Sequence, residues 1–117
     1  MLHKTDRIHH TSYLLAHTIN LEELQEDTTE IFDLKAGYEI LDASVEVVET
    51  GNGTIDLGLG EEKDFFLNDI DLGAKESFKS KIVTTIKENA PLVLDTTARD
   101  GIIKVRIHYF TESQMIK

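Results

Sequence analysis

Apolar and polar residues alternate with period two along much of the chain, most clearly between residues 35 and 60, KAGYEILDASVEVVETGNGTIDLGLG. In the first limb Leu41, Ala43, Val45 and Val47 are apolar and Asp42, Ser44 and Glu46 polar, as in a strand with one buried and one wet face. In the second limb Ile55, Leu57 and Leu59 alternate with Thr54, Asp56, Gly58 and Gly60. Between them Gly51, Asn52 and Gly53 tolerate the positive φ of tight turns. The pattern predicts a hairpin of two long strands sharing one apolar face. Such a ribbon needs the rest of the chain to cover it.

Residues 1–12 follow neither the helical nor the strand period and read as an extended N-terminal arm. Residues 13–19 are compatible with a first strand. Asn20 is a candidate cap for one helical turn starting at Leu21, with Glu23 at the capping-box spacing; the stretch is too short for a core helix. Residues 28–34 alternate weakly and are rich in β-formers. After Gly60, EEKDFFLNDIDLG reads as an acidic loop anchored by Phe65 and Phe66.

Residues 78–86 read as a strand on the strength of Ile82, Val83, Thr84 and Thr85. Pro91 opens a strand over 92–97, and Ala98, Arg99, Asp100 and Gly101 make a turn. In the last strand Ile103, Val105, Ile107 and Tyr109 alternate with Lys104, Arg106 and His108. Seven or eight short strands without a sustained helix predict an all-β fold. The expected architecture is an antiparallel β-sandwich, jelly-roll-like, formed by a single domain over 13–117 behind the arm.

Composition narrows the function. Hydrophobic residues at 40% and charged residues at 29% are ordinary for a globular domain. No apolar run reaches the roughly 18 residues of a membrane span, and the N-terminus lacks the apolar core of a signal peptide. With no cysteine there is no disulfide framework and no thiolate chemistry. The net charge of −10 repels phosphate backbones and weighs against nucleic acid. The arm departs from this, with Lys4 and Arg7 against Asp6, and His3, His9, His10 and His17 lie in or beside it. Near their ordinary pKa of about 6.5, mild acid would add positive charge there.

Catalytic motifs are missing: there is no G-x-S-x-G elbow, no H-E-x-x-H and no Walker A loop. Gly58 and Gly60 form only a fragment of a dinucleotide fingerprint and read as turn glycines. Asp42 and Glu46, with Asp56 across the expected hairpin, would share one strand face. Nothing apolar beside them would split their pKa values, so a solvated face is the better reading. Asp64, Asn68, Asp69 and Asp71 crowd oxygen donors together, but Gly73 falls at the fifth position from Asp69 and no glutamate at the twelfth, against an EF-hand order. Adjacent His9 and His10 on an extended chain point apart and cannot easily share one metal ion. No enzyme activity, cofactor or metal is expected.

The run AGYEILDASVEVVETGNGTIDLGLGEEKDFFLNDIDL, then PLVLDTT, then Gly101 with IIKVRIHYF, resembles small structural proteins encoded beside the major capsid genes of tailed bacteriophages. The matching pieces are Val45, Glu46 and Val47, the turn Gly51 to Gly53, residues 54–60, the acidic 64–71 and the strand 104–110, within residues 36–110. The resemblance implies a non-enzymatic virion protein of the cement or decoration type. Such proteins sit on the capsid exterior as jelly-roll trimers, bridging neighbouring capsomers after synthesis in the host cytoplasm. The implied partners are the major capsid protein and the chain itself as a homotrimer, with no nucleic acid and no membrane. Partner contact is assigned to Leu2, His3, Lys4, Arg7, Ile8, His9 and His10 of the arm and to Phe65 and Phe66. The alternatives are a β-sandwich ligand-binding module, for example for carbohydrate, or a neck or tail component. The absence of Trp and the presence of only three Tyr disfavour a sugar site.

Overall fold

The computed structural model describes the main chain from His9 to Ser113 and side-chain burial over residues 12–111. Nine strands are present among the described residues: β1 (His9–Asn20), β2 (Thr28–Leu34), β3 (Glu39–Glu49), β4 (Thr54–Leu59), β5 (Glu62–Asp71), β6 (Ser77–Lys79), β7 (Thr84–Thr85), β8 (Ala90–Thr96) and β9 (Ile102–Ser113). A single 3-10 turn, Leu21–Glu23, follows β1, and the Asn20 side chain caps it by accepting the Glu22 N–H. One sheet has the order β1-β9-β3-β6, with β7 on the same edge of β3 as β6; the other is β2-β8-β4-β5. Every pairing is antiparallel. With β6 and β7 taken as one broken strand, this is a jelly-roll-like sandwich.

The alternation places side chains as the period requires. Ala43, Val45 and Val47 of β3 and Ile103, Val105 and Ile107 of β9 meet Ile55 and Leu57 of β4 and Leu92 and Leu94 of β8 in one core. Leu21, Leu34, Leu72 and Ile86, from the connections and strand ends, are also fully buried. These large apolar side chains are the main source of stability, at about 1.5–3 kcal/mol each.

The expected hairpin does not form. β3 lies in the first sheet between β9 and the β6/β7 edge, whereas β4 lies in the second between β8 and β5. Gly51, Asn52 and Gly53 therefore carry the chain from one sheet to the other. The crossing from β8 to β9 runs against it: a Cβ on Gly51 would stand 2.2 Å from the Asp100 carbonyl oxygen. The Asp100 carboxylate accepts the Asn52 N–H at 2.8 Å, and the Gly101 carbonyl accepts the Leu21 N–H at 2.9 Å. Period two records which face of a strand is buried, but not which strand lies beside it. Leu41 also departs from expectation. A register shift between Ile40 and Asp42 turns Ile40 into the core and leaves Leu41 exposed.

Residues 62–71 form strand β5 rather than a loop, paired with β4 through the turn at Gly60 and Glu61. Its alternation is hidden by irregular register: the five-residue step from Glu62 to Leu67 on β5 matches a two-residue step from Leu59 to Leu57 on β4, and a second shift follows before Ile70. Phe66 and Leu67, at the end of the first shift, are buried side by side, and Asp69 takes φ +53° at the second. At the first, the β5 main chain lies where a Gly58 side chain would project, with the Glu62 carbonyl oxygen 2.2 Å from an ideal Cβ. The strand expected over 78–86 is broken into β6 and β7, because Ser80 turns the chain by accepting the Ile82 N–H on its hydroxyl. The first strand starts at His9, four residues before the expected Tyr13.

Candidate attachment surfaces

The two outer faces differ in charge. The strands of the second sheet carry Glu30, Asp33, Asp56, Glu62, Asp64, Asp69, Asp71 and Asp95 against Lys63 alone. Asp56 and Asp95 are cross-strand neighbours there. Neutral donors hold both: the Asp69 N–H donates to Asp56 at 2.7 Å and the Thr28 hydroxyl to Asp95 at 2.7 Å. On the first sheet Lys104, Arg106 and His108 of β9 stand opposite Glu46, Ser44 and Asp42 of β3. Arg106 pairs with Glu46 at 2.9 Å and Lys79 with Asp42 at 3.0 Å. Exposed pairs of this kind contribute about 0–1 kcal/mol, so they neutralise the face more than they hold it. A further surface pair joins Arg99 to Asp27.

The carboxylates expected on one face are thereby separated. Asp42 and Glu46 project from the outer side of the first sheet and Asp56 from the outer side of the second, because β3 and β4 are not paired. Asp42 leaves one carboxylate oxygen, Oδ1, buried and without a partner. Of the expected contact residues, Leu2, His3, Lys4, Arg7 and Ile8 lie outside the described residues. His9 and His10 begin β1, opposite Ser113 and Glu112. Phe66 is 5% exposed and belongs to the core, and Phe65 packs edge-on against it with ring centroids 4.9 Å apart.

All three tyrosines form one stack, which the sequence did not announce because they come from β1, β9 and the connection before β3. Tyr109 lies between Tyr13, at 5.2 Å, and Tyr38, at 4.4 Å. Burial pushes the Tyr109 hydroxyl pKa above 10, and hydrogen bonding to Tyr38 and the neighbouring phenols add to the effect. Tyr13 is 44% exposed, Tyr38 is half-buried and Tyr109 is buried. The stack is therefore mostly an internal structural element rather than an open aromatic platform.

Two open grooves of about 700 Å³ and 690 Å³ flank the turn at Gly60 and Glu61. The first runs between Leu24, Glu26 and Glu30 on one side and Glu61, Pro91 and Val93 on the other. Among the described residues no three His, Cys, Asp or Glu side chains are grouped to hold a metal ion. Of the candidate calcium donors, the Asp71 carboxylate is engaged locally, accepting the Gly73 N–H at 2.8 Å.

The surface feature that sequence reasoning passed over is β1. It is an edge strand of twelve residues, HHTSYLLAHTIN, without a charged residue of the Asp, Glu, Lys or Arg type. That absence was the available signal.

No protein-family model matches the chain, and no curated protein matches it. Solved structures do. A chain of the acidic stable capsid structure of Helicobacter pylori bacteriophage KHP30 superposes with a TM-score of 0.73 at 23% identity, covering 93% of this chain and 98% of that one. A chain of the cyanophage Pam1 capsid asymmetric unit superposes with a TM-score of 0.60 at 16% identity, covering 90% and 84%. At these identities the likeness is one of fold.

Proposed function

We propose that the protein is a structural component of a bacteriophage virion that binds the capsid exterior and cements neighbouring major capsid protein subunits, without catalysis. The observation that carries the reading is the breadth of the fold match. It takes in 93% of this chain and 98% of a chain from the KHP30 capsid structure, so the two share a whole unit and not a fragment. The charge distribution supports an exterior position. The second sheet's strongly acidic outer face suits solvent, and like-charged surfaces keep assembled particles apart. Residues 1–8, with Lys4 and Arg7, are the proposed arm, and the half-buried Phe65 is a second contact.

The test is to mix purified protein with capsid shells assembled without it, sediment the shells and reconstruct them. Stoichiometric co-sedimentation with density over junctions between capsid subunits is the expected result. No binding, or density confined to a neck or tail vertex, overturns the reading. Removing residues 1–8 should leave the sandwich folded and weaken attachment. The cut stops there because removing residues 1–12 would take away the start of β1, His9 to Ser12.

A further inference from the structure

We propose that β1 is a self-association edge, pairing antiparallel with β1 of a second copy across a two-fold axis to join two first sheets into one continuous sheet. The inference does not depend on capsid attachment. It rests on what protects the sheet edges, since an unprotected edge strand is a template for another chain. At the far edge of the first sheet, β6 and β7 are short and interrupted. In the second sheet, edge strand β2 has a register shift and carries Glu30 and Asp33. The other edge, β5, has two register shifts and five charged residues, one of which, Asp69, takes positive φ. Among the described edge strands only β1 lacks all of these devices. It pairs with β9 residue for residue over its whole length without a shift, contains no proline and carries no formal charge. Among the described residues its main chain bonds to β9 alone.

An unprotected edge needs a matching one, and among the described strands that is β1 itself, in a second copy. Charge points the same way. Two copies at −10 each meet like charges along the β2 and β5 edges, whereas β1 against β1 opposes uncharged strands. The side chains also fit. Tyr13, Leu15 and Ile19 share the core side with Tyr109, Ile107 and Ile103, while Ser12, Leu14, Ala16 and Thr18 lie on the outer side. Directly opposed residues of an antiparallel pair share a face, so the dyad falls on a residue, Leu14 or Leu15, in the middle of the strand. Leu14 is 62% exposed and in either register lies opposite or diagonal to its counterpart. The product is a dimer, not the homotrimer that the family resemblance implies.

Sedimentation equilibrium of the purified full chain tests this, with circular dichroism as the control for folding. A concentration-dependent species of twice 13.2 kDa is expected; a strict monomer or a trimer overturns the proposal. Leu14→Lys and Leu14→Glu, each alone, should remain folded and become monomeric, because like charges meet near the dyad. Mixing the two variants should restore a heterodimer. Variants that stay dimeric, or a mixture that stays monomeric, sink the idea. Capsid co-sedimentation of the same variants reads attachment separately.

Discussion

Asp56 on β4 and Asp95 on β8 face each other as one cross-strand pair on the outer side of the second sheet. Each carboxylate is held by a neutral donor, the Asp69 N–H and the Thr28 hydroxyl respectively, so neither has a cation to offset the other. Like charges directly opposed across a sheet are destabilising, in the range of about 0.2–1 kcal/mol for such pairs. Asp95→Asn keeps an acceptor for Thr28 and removes the repulsion. It should raise the urea midpoint by a stabilisation within that range. Adding Asp56→Asn should bring little more, because the repulsion is already gone; equal and additive gains would show that the two charges act independently.

Gly58 is required by its neighbour and not by its own dihedral angles. Gly58→Ala drives a methyl into the β5 main chain at Glu62 and Lys63, and overpacking of this kind costs about 1–3 kcal/mol. Gly60, two residues on, has φ +59° and an added Cβ would meet only the Ala90 Cβ at 3.7 Å, an ordinary contact, so Gly60→Ala should cost about 1–2 kcal/mol through backbone strain alone. Gly60→Asn should recover part of that loss, since asparagine tolerates the left-handed region, while Gly58→Asn should recover none. Chemical unfolding of the four variants checks the contrast.

Phe65 and Phe66 divide their roles. Phe66→Ala opens a core cavity and should cost about 3–5 kcal/mol, seen as a large fall in the unfolding midpoint. Phe65→Ala should cost less, because its ring is only half buried. If Phe65 contacts the capsid, its variant should lose attachment while retaining most of its stability. Equal attachment by wild type and variant would remove Phe65 from the contact set.

The raised Tyr109 pKa has a definite sign. The folded state holds the phenolic proton more tightly than the unfolded chain does, whose tyrosine titrates near 10. Between the two pKa values the unfolded state has lost the proton and the folded state has not. Stability is therefore constant below about pH 10 on this account and falls as pH rises toward the folded pKa. Melting temperatures measured from pH 8 to 11 should show this alkaline decline, and Tyr109→Phe should flatten it. An unchanged slope in the variant would shift the cause to other groups.

Much of the architecture was legible because a half-buried strand repeats with period two. β3, β4 and β9 were recognisable from the spacing of Val45 and Val47, Ile55 and Leu57, and Ile103 to Tyr109. What the spacing lacks is pairing. A Gly-Asn-Gly segment between two alternating runs serves a hairpin or a crossing between sheets equally well. The difference was made here by Asp100, far along the chain, pressing on Gly51. β5 stayed hidden for a different reason: its register shifts break the period, so EEKDFFLNDID reads as a loop. The tyrosine stack joins residues from three distant segments, and no local pattern reports it. The expected contact residues of the arm, Leu2 to Ile8, rest on its composition and lack of periodicity alone.

The order of the first sheet has a consequence for how the chain comes to be folded. Strand β1 is made first, and its one partner, β9, is the last strand to follow it. During synthesis at about 5–20 residues per second, the HHTSYLLAHTIN segment waits for seconds with neither long edge paired, while β2, β8, β4 and β5 can already assemble. Closing a contact between strands so far apart in sequence also makes folding slow. The longest described strand without a formal charge is thus also the one longest exposed to other nascent chains, where early encounters between copies and misassembly compete for the same edge.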